Sequence, residues 1–76
     1  MKVYILRAGY EYSELKIINV FDSINKAKNF CTTEYGIRLD DWTYSETTKS
    51  YFYDTLEERE LKTNYTEFTI TVKDVL

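Results

Sequence analysis

Nothing in this chain can staple a fold shut, and that limits what it can become. Its 76 residues contain one cysteine, Cys31, and no histidine. No disulfide can close within the chain, and the usual structural zinc ligand sets are out of reach. A chain of this length carries a single core and buries only roughly 60% of its extended-state surface. Small domains commonly add a disulfide or a metal to offset so modest a core. Here packing must do it alone. One Trp, eight Tyr and four Phe supply the area, since each ring buries a large apolar surface. The chain therefore reads as one domain over residues 1–76, with no cofactor and no metal site.

The pattern along the chain alternates strand signals with one helix signal. Val3-Tyr4-Ile5-Leu6 is a short apolar run suited to a well-covered strand over 2–8. Gly9 ends it, and Tyr10 to Glu14 reads as a loop. Leu15 to Phe21 is rich in β-branched residues and forms a second strand, antiparallel to the first. Asp22-Ser23 then offers an N-cap. Ile24, Ala27, Phe30, Cys31 and Tyr35 recur at helical spacing, and Gly36 sits where a left-handed C′ residue is wanted. The spacing predicts a helix over 23–35. Trp42 to Ser45, a turn at Glu46 to Lys49, and Tyr51 to Tyr53 read as a second hairpin. Residues 54–62 suit either one helical turn, with Thr55 and Glu58 as a capping box, or a polar edge strand. Residues 65–73 alternate, with Phe68, Ile70 and Val72 inward. The expected fold is α+β: a small antiparallel β-sheet in the order β-β-α-β-β-β, with one helix packed on one face. That face is expected to be lined by Ile5, Ile18, Val20, Phe68, Ile70 and Val72.

Chemistry finds little to use. The absence of histidine removes the commonest general base and the usual partner of a Ser or Cys nucleophile. The adjacent acids Asp40-Asp41 and Glu57-Glu58 read as solvated, because paired-acid hydrolysis needs a concave site that so small a sheet hardly provides. Cys31, on the inner stripe, reads as a small buried hydrophobe. Gly9 and Gly36 are the only glycines, so a glycine-rich phosphate loop is excluded. Tyr4, Tyr44, Tyr51 and Tyr53 suit base stacking in principle. A net charge of −3 opposes the phosphate contacts that stacking modules rely on, and direct nucleic-acid binding is not expected. The chain is expected not to be an enzyme.

Charge is distributed unevenly. Residues 1–39 hold six basic and four acidic side chains, whereas residues 40–60 hold seven acidic and two basic ones. The acidic block also contains Trp42, Tyr44, Tyr51, Phe52 and Tyr53. Aromatics dominate interface hot spots, and clustered acids steer toward a basic partner. The candidate contact set is Asp40, Asp41, Trp42, Tyr44, Tyr51, Tyr53, Glu57, Glu58 and Glu60. The competing reading makes alternate aromatics core, the rest ordinary cross-strand pairs, and the acids solubilising charge.

No stretch approaches the apolar length of a membrane span, and Met1 to Arg7 lacks the apolar run of a secretory leader. A lone cysteine without an export signal suits the cytoplasm. Residues with AT-rich codons (Phe, Tyr, Ile, Asn, Lys) number 29, against seven of Gly, Ala, Arg and Pro. The bias points to an AT-rich genome. The KVYIL strand, Tyr10-Glu11-Tyr12, and Ile18 to Ser23 leading into Lys26-Ala27 resemble small uncharacterised domains of low-GC bacteria and their phages. That resemblance covers about residues 2–31 and implies no functional residues. By analogy of size and charge with small acidic phage proteins, the expected role is a binding protein. It would inhibit or modulate a basic, nucleic-acid-handling host or immune protein in the host cytoplasm. The alternative is a homo-oligomeric structural or accessory protein without catalytic activity.

Overall fold

In the computed structural model, which describes residues 1–54 and 60–75, the first and last strands lie side by side. Strand β1 (Lys2–Gly9) pairs along its whole length with β5 (Glu67–Asp74), from Lys2 opposite Asp74 to Gly9 opposite Glu67. Outside β1 lies β2 (Lys16–Phe21); outside β5 lie β4 (Ser50–Tyr53) and then β3 (Trp42–Ser45). Every described pairing is antiparallel, in the order β2-β1-β5-β4-β3. With β5 in the middle, β1 has a neighbour on each side, which suits its unbroken apolar run.

Helix α1 (Ile24–Tyr35) has the ends its sequence prescribes. The Ser23 hydroxyl accepts from the Lys26 amide at 3.1 Å; Gly36 closes the helix at φ 77°, its amide donating to the Thr32 carbonyl at 3.1 Å while the Ile37 amide donates to the Cys31 carbonyl at 3.3 Å. Ala27 and Cys31 are fully buried, and Ile24, Phe30 and Tyr35 pack beside them. Among the described residues, the element order with its one helix matches the expected α+β fold.

One expectation about the inner face needs correction. Phe68 and Ile70 are buried, as read from the sequence, but β1 presents Leu6 and Ala8 inward rather than Ile5. The register explains it. Leu6 stands opposite Ile70 and Ala8 opposite Phe68, so Ile5, opposite Thr71, points to the other side. Val20, paired with Ile5 and 50% exposed, goes with it. A run of consecutive apolar residues carries no parity of its own, so the partner strand decides. Ile18 still reaches the core, because the register shifts between Leu6 and Arg7 and leaves it as the extra residue of a β-bulge.

The core gathers Leu6, Ala8, Ala27, Cys31, Ile37, Phe68 and Ile70. Around it runs a chain of rings: Trp42 to Tyr53 at 6.4 Å, Tyr53 to Phe68 at 5.7 Å, Phe68 to Tyr35 at 5.0 Å, and Tyr35 to Phe30 at 6.0 Å. These are edge and tilted geometries, which ring quadrupoles favour. The aromatics therefore supply the packing that a disulfide-free chain needs. The helical turn or edge strand expected over 54–62 falls mainly on residues 55–59 and lies outside the described residues.

Candidate partner-binding face

The β3–β4 hairpin is built by four cross-strand pairs, and their alternation divides its aromatics. Trp42 opposes Tyr53 and Tyr44 opposes Tyr51, all on the helix side, while Phe52 opposes Thr43 on the other side. Trp42 and Tyr53 are half-buried and packed against the core. Tyr44 and Tyr51 sit further along the hairpin, with ring centroids 4.8 Å apart. Tyr44, on the edge strand, is 42% exposed. Lys28, reaching from α1, holds its ammonium 4.9 Å from the centre of the Tyr51 ring, a cation–π contact that buttresses the pair.

The acids divide as well. Asp40, Glu46, Asp54 and Glu60 are exposed. Asp41 is not: at 8% exposure its carboxylate accepts from the Arg38 amide at 3.0 Å, and its carbonyl accepts from the Asp54 amide at 2.8 Å. It fastens the turn into β3 and leaves the contact set. The physical reason is local, since an Asp side chain readily bonds a nearby backbone amide and so organises turns. Glu57 and Glu58 lie outside the described residues. The structure thus brings Tyr44, Tyr51, Glu46, Asp40 and Asp54 to one hairpin and its two ends, and assigns Trp42 and Tyr53 mainly to packing. The Trp42 indole N–H is buried with no hydrogen-bond partner among the described residues.

Sequence reasoning missed two exposed groups. Tyr12, at the tip of the β1–β2 loop, is 98% exposed and adopts φ 64°. Ile17 and Val20 stand on the side of the sheet away from the helix. The parity of Leu6 against Ile70 would have revealed the second group, but it is not visible before the register is known. A cleft of about 410 Å³ between Tyr10, Tyr65 and Lys16 opens at the end of the first hairpin. Among the described residues no group of His, Cys, Asp or Glu side chains converges as metal ligands would, and no helix is long and apolar enough to cross a membrane.

Cys31 is fully buried on α1, and burial pushes its thiol up to about 12 from an ordinary 9.0. Burial likewise raises the Tyr35 hydroxyl. Both groups hold their protons more tightly when folded than when unfolded. The Cys31 contribution to stability is therefore complete below pH 9.0 and is lost as pH rises toward about 12, and that of Tyr35 likewise falls in alkali. The expected limit for one group is about 1.4 kcal/mol per pH unit. Chemical denaturation from neutral to alkaline pH should show this decline, and Cys31→Ala should flatten it. Alkylation of Cys31 should be slow in the native protein and fast in denaturant; equal rates would overturn its assignment to the core.

A family described as a domain of unknown function, DUF7336, matches residues 1–71, and the chain belongs to it. Neither the curated proteins nor the solved structures compared with it contain a match.

Proposed function

We propose that this member of a family of unknown function is a non-catalytic binding protein of a phage or mobile element of low-GC bacteria. In this reading it acts in the host cytoplasm by docking onto a basic, nucleic-acid-handling host or immune protein, which it inhibits or modulates. The observation that carries the reading is the exposed Tyr44 on an edge strand, its ring tilted against that of Tyr51, on a hairpin with the exposed acids Glu46 at its turn and Asp40 and Asp54 at its other end. Tyrosine pairs give large contact area at low entropic cost. Acids at the rim speed encounter with a basic surface and set its orientation. An acidic face that stands in for phosphate competes with DNA or RNA for the same partner.

The test is affinity capture from a low-GC bacterial lysate, run side by side with wild-type protein, Tyr44→Ala and Glu46→Lys. The reading expects a basic nucleic-acid-handling protein that wild type captures at low salt and releases at high salt or on addition of DNA. Tyr44→Ala should weaken capture by roughly tenfold or more, as loss of a hot-spot ring does. Glu46→Lys should mainly slow association. Partners captured equally by all three proteins at every salt concentration would show that the hairpin acids only solubilise.

A further inference from the structure

The sheet has two sides, and α1 covers one. On the other, Ile17 is 60% exposed, Val20 50% and Phe52 37%, an apolar set that a monomer gains nothing by showing to water. The same side carries the odd-numbered residues of β5, from Glu67 at one end to Lys73 at the other. Leu15 folds onto it at its Glu67 end, where its Cδ2 would lie 2.8 Å from a Cβ placed on Gly9.

We infer that this side is covered by the same side of a second copy, in a two-fold dimer of face-to-face sheets. The argument is the pattern of residues along the strands. β5 is the middle strand of five, so it crosses its own copy at the centre of such a pairing. A two-fold axis between the sheets and perpendicular to the strands reverses positions along β5. It sets Glu67 against Lys73 of the second copy, and Lys73 against Glu67 of the second copy. The two residues are about 20 Å apart within one chain, six residues at the rise of a strand, and cannot pair there. The other in-plane axis, parallel to the strands, sets like charges on each other twice, so the charges select the first. The same operation carries Ile17, which pairs with Arg7, onto Val20, which pairs with Ile5. It also brings Leu15 over Val3. Arg7, the cation near the middle of the face, already donates to the Thr71 hydroxyl at 3.1 Å, so its head group enters the interface partnered.

Area is consistent with a weak, reversible dimer. Strands β1 and β5 are each eight residues long, β2 six, and β3 and β4 four each, and at the rise and spacing of strands they offer a face of roughly 450–500 Å² per copy. Two such faces bury roughly 900–1,000 Å² in all, at the lower limit of about 1,000 Å² where specific interfaces begin.

The test is sedimentation equilibrium across a wide concentration range, with circular dichroism to confirm that each variant is folded. Wild type should show a reversible monomer–dimer equilibrium. Ile17→Lys, at an exposed site, should weaken it on the order of a hundredfold by burying a charge at the contact, and Val20→Lys should act alike. Glu67→Lys alone and Lys73→Glu alone should each weaken self-association roughly tenfold. The double reversal Glu67→Lys/Lys73→Glu should recover it, and so should mixing the two single variants, since every crossed pair is then opposite in sign. A monomer at every concentration overturns the proposal. So does a dimer that ignores Ile17→Lys and Val20→Lys, or one in which neither the double reversal nor the mixture recovers what the single reversals lose.

Discussion

Phe68→Ala is expected to cost about 3–5 kcal/mol, the range for deleting a buried ring from a packed core. Phe68 is 2% exposed, and the rings of Tyr35, Tyr53 and Tyr65 lie within 6.3 Å of its own. Its loss therefore removes one side of three aromatic contacts and leaves a cavity between the sheet and the end of α1. A domain of this size holds only roughly 4–11 kcal/mol in total, so the variant should sit near the edge of folding. Urea denaturation measures it: the midpoint should fall steeply while the slope stays near that of wild type. A loss under about 1 kcal/mol, where surface changes lie, would mean that the aromatic chain is not the core.

The second large effect is a contrast between neighbours. Leu6→Ala should cost about 2–5 kcal/mol, because Leu6 is fully buried opposite Ile70. Ile5→Ala should cost clearly less in dilute monomer, because Ile5 is only partly buried and lies opposite Thr71 on the uncovered side. The same denaturation experiment reads both. Equal losses, or a larger loss at Ile5, would place β1 one residue out of register and turn its faces over.

That contrast marks where legibility in the sequence ends. Ser23 and Gly36 announced both ends of α1, because capping and left-handed geometry are local chemistry. The alternation of 65–73 put Phe68 and Ile70 inward correctly for the same reason: a strand half covered writes its parity into its own residues. β1 wrote nothing of the kind. Val3 to Leu6 are all apolar, and only pairing with β5 decides that Leu6 is inside and Ile5 outside. Ile37 shows the same limit, being fully buried in the loop after the helix, where no periodicity operates. In the candidate site, charge and aromatic content drew attention to the second hairpin. What composition cannot convey is that Asp41 turns inward to hold the Arg38 amide, or that Trp42 and Tyr53 join the core while Tyr44 remains at the edge. Those are consequences of a four-residue strand whose alternate positions face different surroundings.

The most direct test of the proposed role is amide hydrogen exchange on the protein alone and in complex with the partner it captures. Edge strand β3 has one described sheet neighbour, β4, so its outward amides should exchange readily when free, as unpaired strand edges do. The account predicts that the complex slows exchange over Trp42–Ser45 and the adjoining turn, and that Tyr44→Ala abolishes most of that protection along with binding. A complex that protects α1 or β2 and leaves the β3–β4 hairpin unchanged would contradict it.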